Sequence, residues 1–362
     1  MSWKQRGIVL DLDGTLWKGE RPINGAVAFW DYLRSKDIPT VLLTNSGERS
    51  AADVATKFHQ VLNRTVDARI ICTALDHLAT VLNVKTHTGF HVFVIASNSA
   101  WCRHEFAKNA SLYSGEETCF PRSYCFALFS DGNIANYYAL LVRISQRMTR
   151  DNVCLYATSA DDTLMMVDDD GNDFRTPGPG LFLLCLSQLL SESARKLIVP
   201  LGKGSDKTLA EYAVSMLQDQ GFDGRNSDVY FVGDRLNTDV RAALQIGCTA
   251  VHVQSGCHNV DHYPDFPFDS PHVIATDISD MSRLLARNGA GRFHDVVRDT
   301  IVTKCHQARR GDLGTTLAST MSAINWRIPP RRASSFPDNL HELASFLPRP
   351  KSCEIVIDEN VQ

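Results

Sequence analysis

Residues 7–15 read Gly7-Ile8-Val9-Leu10-Asp11-Leu12-Asp13-Gly14-Thr15. Four apolar-compatible residues run into two carboxylates two positions apart, and a glycine and a threonine close the turn. A continuous apolar run of this length is the pattern of a strand buried on both faces. Side chains two apart lie on the same side of a strand. Where the strand ends and the chain turns at Gly14, both carboxylates are therefore free to face one pocket. The carboxyl ends of strands in an open α/β sheet are where ligands bind. A carboxylate there can attack phosphorus, and a second two residues on can move a proton.

The flanking sequence repeats the alternation. Gly25–Ser35 carries apolar residues at helical spacing, Ile38–Thr44 is a second apolar run, and Glu48–Leu62 is helical. Ile70–Cys72 reads as extended and Ala74–Leu82 as a helix behind a Thr73 cap. Strands alternating with helices predict a parallel sheet covered on both faces. A second α/β stretch follows, with strands at His91–Ile95, Tyr124–Phe129 and Val153–Ala157 and helices at Asn136–Met148 and Leu181–Leu190. The first pattern then resumes with a strand at Leu197–Val199, a helix at Asp206–Leu217, and strands at Val229–Val232 and Thr249–Val253 on either side of a Thr238–Ile246 helix. One sheet domain, 1–85 and 195–289, is thus expected to be interrupted by an inserted domain, 86–194. Beyond it, 290–362 is an extension: one amphipathic helix is expected over Phe293–Cys305, then an Arg-, Ser- and Pro-rich tail.

Three further stretches share the character of the first. Thr44-Asn45-Ser46 ends the second strand and offers a hydroxyl and backbone amides to a phosphoryl oxygen. Read alone, the motif is weak, and such a triplet is more often a helix cap. Lys203, in the glycine-rich turn Gly202-Lys203-Gly204-Ser205, can neutralise a carboxylate and an incoming phosphate. Gly233-Asp234-Arg235-Leu236-Asn237-Thr238-Asp239 follows the Val229–Val232 strand, so Asp234 too projects from a sheet edge. Asp11, Asp234 and a main-chain carbonyl near Asp13 can hold a hard divalent cation, with waters and a substrate phosphate completing its shell. Asp239 reads as a further ligand, as a residue that orients one, or as a favourable charge at a helix start.

Taken in order, Asp-x-Asp-Gly-Thr, a threonine after a strand, a lysine, and Gly-Asp-x-x-x-Thr-Asp resemble the haloacid dehalogenase (HAD) superfamily. An insertion between the second and third motifs, with Gly-Asp-Arg-Leu, resembles subfamily IIA with a C2-type cap, the group of 4-nitrophenylphosphatases and phosphoglycolate or pyridoxal phosphate phosphatases. Tyr156–Thr163 stands where that group shows Ala-Thr-Asn-x-Asp-x-Thr, and Pro177-Gly178-Pro179-Gly180 is similar to its opening of the last cap helix. The resemblance runs from about Gly7 to Asn288. It implies a Rossmann-like core, Asp11 as nucleophile and Mg2+ ligand, and Asp13 as general acid/base with its carbonyl on the metal. It further implies Thr44, Asn45 and Ser46 at the phosphoryl group, Lys203 as charge balance, and Asp234 on the metal with Asp239 in support. The substrate implied is a small phosphorylated metabolite. Related enzymes often dimerise through their caps, which implies a homodimer.

The chain departs from the group at Gly204, where proline is usual, at Ser159 and Ser46, where asparagine is common, and over Phe129–Asn133. Gly204 is expected to loosen the turn that aims Lys203. The rival readings are a sugar-phosphate mutase and a non-catalytic binding protein on the same scaffold.

The rest of the composition is permissive. The 362 residues suffice for two or three domains, and a formal charge of −4 gives no pull toward nucleic acid or an anionic membrane. No stretch reaches the length of a membrane span, and Met1–Arg6 leads into a strand rather than a secretory segment. Ten cysteines without paired spacing point to free thiols and a cytoplasmic setting. Phe29-Trp30 and Tyr137-Tyr138 are expected to pack, Asp168–Asp170 to form a solvated hairpin turn, and His252, His258 and His262 to be core or surface residues.

Overall fold

The computed structural model describes residues 6–281, apart from 131–133, 135 and 169–171. The expected helix over 293–305, the tail and part of the Asp168–Asp173 turn lie outside the described residues. In chain order the elements are β1 (Gly7–Leu10), β2 (Trp17–Lys18), β3 (Arg21–Pro22), α1 (Ala26–Ser35), β4 (Thr40–Thr44), α2 (Ala51–Leu62), β5 (Ile71–Thr73), α3 (Ala74–His87), β6 (His91–Ile95), β7 (Ala110–Leu112), β8 (Tyr124–Leu128), α4 (Tyr137–Asp151) and β9 (Leu155–Ala157). There follow β10 (Thr163–Val167), β11 (Asp173–Pro177), α5 (Pro179–Gln188), α6 (Glu192–Arg195), β12 (Ile198–Pro200), α7 (Thr208–Asp219), β13 (Val229–Gly233), α8 (Arg241–Gln245), β14 (Thr249–Val253) and β15 (Val273–Ala275).

Two parallel sheets organise the chain, as an α/β reading of the sequence requires. The first runs β15-β14-β13-β1-β4-β5, every neighbouring pair parallel. Its strands are mostly apolar because both faces are covered. Ile8 and Leu10 point into a cluster with Phe29, Trp30 and Phe58. Val9, between them, points into the opposite cluster with Leu209, Leu217 and Phe231. Leu42 and its neighbours Val41 and Leu43 divide the same way, which is the two-residue period of a strand made visible. Each such side chain contributes about 1.5–3 kcal/mol on burial.

The second sheet runs β12-β9-β8-β6-β7 and is also parallel. Phe93, Phe126 and Leu155 face α4 and α5, while Val92, Val94 and Tyr156 face α3 residues Leu78 and Leu82. Thr73 caps α3 through the backbone N–H of Asp76, as its sequence position suggests. The antiparallel hairpin β10–β11 stands apart from both sheets.

One assignment changes. The run at 197–199 reads as the first strand of the resumed core, yet Ile198–Pro200 pairs with Leu155–Ala157 at the edge of the second sheet. An apolar triplet carries no information about which of two parallel sheets it will join. β15 and β7, each of three residues, were too short to announce themselves in the sequence.

Candidate active site

β13, β1 and β4 are neighbours in the first sheet, so their carboxyl ends meet. Asp234 leaves β13, Asp11 leaves β1 and Thr44 closes β4. Three motifs far apart in sequence thus converge because their strands pair. Asp11, Asp234 and Asp239 are all buried, and each offers a carboxylate oxygen within 4.8 Å of the other two.

Lys203 enters this cluster from the loop after β12, in the second sheet. Its side chain is only 3% exposed. The ammonium donates to Asp11 Oδ1, and to Asp239 Oδ1 at 2.6 Å. Burial opposes its charge, but Asp11 and Asp239 outweigh that and hold Lys203 protonated above the usual lysine range. Burial pushes Asp11 well up from the usual carboxylate range, against Lys203, with Asp239 and Asp234 adding to it. Burial and then the Asp239 charge push Asp234 up to about 7. The common cause is an imbalance: three carboxylates face one ammonium, all four nearly buried. Two uncompensated negative charges on hard oxygen donors suit a divalent cation.

Gly204 does not loosen the turn. It adopts φ +74, a conformation closed to proline, and its backbone lies so close to Asn237 that an added Cβ would stand 2.3 Å from that residue's carbonyl oxygen. The turn is therefore packed, and Lys203 is held firmly.

Around the carboxylates, other groups fix geometry. Thr15 Oγ1 donates to Asp11 Oδ2 at 3.1 Å. The Arg235 amide donates to Asp239 Oδ2 at 3.1 Å, and the Cys257 amide donates to Asp234 Oδ2 at 2.6 Å. Leu236–Val240 forms a π turn that brings Asp239 back beneath Gly233. His252 Nε2 lies 3.1 Å from the Asp234 carbonyl, and His258 Nδ1 accepts from the Leu236 amide at 3.0 Å. These two histidines are core residues behind the site; burial and nearby Arg235 push His258 down to about 3.

Asp13 behaves differently. It is 56% exposed and sits on the pocket wall, outside the carboxylate triad. Thr44 Oγ1 accepts from the Ser46 amide at 3.1 Å. The Asn45 side chain spans two loops: its Oδ1 accepts from the Lys203 amide at 2.7 Å, and its Nδ2 donates to Asp161 Oδ2 at 3.1 Å. The Ser46 carbonyl accepts from the Leu75 amide at 3.2 Å.

The cavity has a volume of about 500 Å³. Its floor is the carboxylate cluster; its far wall is Ser159, Asp161, Leu164, Met166 and Pro177. Arg235 ties the two sides together. Its guanidinium donates to the Thr163 carbonyl at 2.9 Å and lies 3.6 Å from Asp162 and 3.9 Å from Asp161. Phe29 and Trp30 pack in the core and Tyr137 is stacked edge-on against Phe182, whereas Tyr138 is exposed.

Residues 8–109 match the family described as haloacid dehalogenase-like hydrolase, and residues 201–281 match one described as HAD-hydrolase-like. The chain belongs to the haloacid dehalogenase superfamily. An acid sugar phosphatase of Staphylococcus haemolyticus is 23% identical over 279 residues, spanning 75% of this chain and 96% of that protein. Among solved structures, a 4-nitrophenylphosphatase from Thermotoga maritima superposes with a TM-score of 0.60 at 19% identity, covering 78% of this chain and 97% of its own. A glycerol phosphate phosphatase from Mycobacterium tuberculosis in complex with magnesium gives 0.58 at 22% identity, covering 76% of this chain and 77% of its own. In this HAD chain, Lys57, Asp161, Arg235 and Gly256 join the site without having been singled out individually in the sequence. Arg235 lies inside a motif, so position alone marked it. Lys57 carried no local mark: it is one of many polar residues on an amphipathic helix.

Proposed function

We propose that this chain is a Mg2+-dependent phosphatase that hydrolyses small phosphate monoesters through an aspartyl-phosphate. The buried cluster of Asp11, Asp234 and Asp239 around Lys203 carries the reading. Three carboxylates gathered around one ammonium, nearly buried at the strand ends, carry a desolvation cost that stability alone does not repay.

Asp11, Asp234 and the main-chain carbonyl of Asp13 would hold the cation, with Asp239 beside them; when bound it supplies charge neutralisation for the phosphoryl oxygens. Asp11 attacks phosphorus through a carboxylate oxygen as the ester P–O bond breaks. Asp13 gives its proton to the departing alkoxide. Asp13, now a carboxylate, takes a proton from water, whose oxygen attacks phosphorus and releases Asp11 and inorganic phosphate. Lys203 offsets charge on Asp11, and Thr44 with the Asn45 amide steadies the phosphoryl oxygens, while the Ser46 amide, expected to do the same, instead donates to Thr44 Oγ1 and holds that loop. Monoester hydrolysis needs accelerations up to ~10²¹-fold, which accounts for nucleophile, acid and cation acting together.

The core comprises 1–85 and 195–289, the cap 86–194, and 290–362 is an extension; the cap sheet takes its edge strand β12 from just past that boundary. Cap residues Ser159, Asp161, Leu164 and Met166 wall the cavity, which leaves room for a small substrate such as a sugar phosphate, phosphoglycolate, pyridoxal phosphate or 4-nitrophenyl phosphate. No helix among the described residues is long and apolar enough to cross a membrane; we place the enzyme in the cytoplasm, as a homodimer through its cap.

The test is steady-state turnover of 4-nitrophenyl phosphate, phosphoglycolate and sugar phosphates with and without Mg2+. Activity should require Mg2+ and vanish in Asp11→Asn. Undiminished Mg2+-dependent turnover by Asp11→Asn would overturn the assignment.

A further inference from the structure

Asp13 is held by two donors, and both land on one oxygen. Trp17 Nε1 donates to Asp13 Oδ1 at 2.8 Å, and Lys57 Nζ donates to the same atom at 3.1 Å. Oδ2 receives no hydrogen bond from the described residues. The donors are themselves fixed. Trp17 is 1% exposed and packs edge-on to Phe58, with centroids 6.1 Å apart. The Lys57 side chain is 11% exposed, and its ammonium stands 5.0 Å from the Trp17 ring centroid. Lys57 and Phe58 are consecutive on α2, the helix that follows the Thr44-Asn45-Ser46 loop.

Burying an ammonium is costly, and here its carboxylate partner among the described residues is Asp13. Asp13 is by contrast more than half exposed, on a turn, with rotamer freedom that a proton carrier must lose before it is useful. A carboxylate with one oxygen clamped presents the other in a defined direction.

We propose that Lys57 and Trp17 are positioning residues for proton transfer: they clamp Asp13 Oδ1 and so leave Oδ2 to deliver the proton to the leaving oxygen and later to take one from water. This rests on the reading of Asp13 as general acid/base. In the first step the Oδ2–H bond breaks as the leaving oxygen gains its proton. In the second, Oδ2 regains a proton from the attacking water, so the carboxyl ends each turnover as it began.

The effect should depend on the leaving group. A 4-nitrophenolate departs with little help, whereas an alkoxide needs its proton. Full-length protein with Mg2+ is assayed for kcat on 4-nitrophenyl phosphate and on glycerol 3-phosphate. Lys57→Met should lower kcat for the alkyl ester by about tenfold or more, a part of the ~10²–10⁴-fold that general-acid catalysis contributes, and for the aryl ester by less than about threefold. Lys57→Arg should restore most of the alkyl turnover. Trp17→Phe, which keeps the ring and removes the donor, should show the same selectivity and serves if Lys57→Met does not fold. Equal losses on both esters, or no loss on the alkyl ester, would overturn the proposal. Asp13→Asn provides the reference: if it lacks the alkyl-selective loss, the role of Asp13 itself is wrong. If it shows that loss and neither Lys57→Met nor Trp17→Phe does, only the clamp is wrong.

Discussion

Gly256 packs directly against the carboxylate of Asp234: a Cβ built on Gly256 would stand 1.9 Å from Asp234 Oδ2. The same oxygen accepts from the Cys257 amide, and Ser255 Oγ donates to the Gly14 carbonyl at 2.7 Å. The Ser255-Gly256-Cys257 loop thus closes the back of the site and sets where Asp234 can stand. Gly256→Ala must displace either the loop or the carboxylate. Mg2+ affinity, read by calorimetry, is expected to fall by at least about tenfold, the size of effect seen when groups that orient a metal ligand are lost.

Gly204 replaces a proline usual in related chains, and the structure shows why restoring it should fail. Proline cannot reach φ +74, and the Cβ position lies 2.3 Å from the Asn237 carbonyl. Gly204→Pro is expected to lower stability by about 1–3 kcal/mol in urea denaturation, the cost of local backbone strain. A Lys203 displaced by an ångström should also cost kcat on the order of 10².

Arg235 is the main charged tie across the cavity. Arg235→Met leaves the buried Asp161 carboxylate without its guanidinium, although Asn45 Nδ2 still donates to it. Stability should drop by about 3–5 kcal/mol, as for other broken buried pairs. KM should rise as well, because Ser159 and Met166 line the cavity from the segment that Arg235 anchors.

Stability of the metal-free protein should depend on pH in an unusual direction. The Asp234 carboxyl, raised to about 7 by burial and by Asp239, keeps its proton in the folded state above the pH at which the unfolded chain loses it. At this carboxyl the folded state therefore binds more protons between about pH 4 and 7, and its contribution to stability falls as pH rises through that window, whereas buried His258, pushed down to about 3, contributes in the opposite direction. In chelator, the melting temperature of the protein measured relative to Asp234→Asn, a difference in which the histidines cancel, should decline from pH 5 to pH 7. Added Mg2+ should raise it more at the upper end than at the lower, since there it binds carboxylates already free of protons. A flat or rising difference from Asp234→Asn in chelator would contradict the raised Asp234 carboxyl.

Much of this was legible in the chain itself. The apolar runs at 7–10, 40–44 and 229–233 declare buried strands, and the polar residues that follow them declare a ligand end, because both signals are local. Thr73 as a helix cap is local too. Pairing is not. Ile198–Pro200 could join either parallel sheet, and it was the edge of β9 that took it. Lys57 is 44 residues from Asp13, and Asn45 is 116 from Asp161; such contacts exist only once α2 lies beneath the β1 turn and the β9 loop lies over β4.

The amino-acid order therefore decided which groups this protein owns and at which strand ends they emerge, since hydrophobic period and turn chemistry act over a few residues. Folding in three dimensions decided which oxygens share a charge, which oxygen of Asp13 stays open, and how tightly Gly204 and Gly256 are packed. Those depend on electrostatics and steric fit, which act through space between residues that the chain keeps far apart.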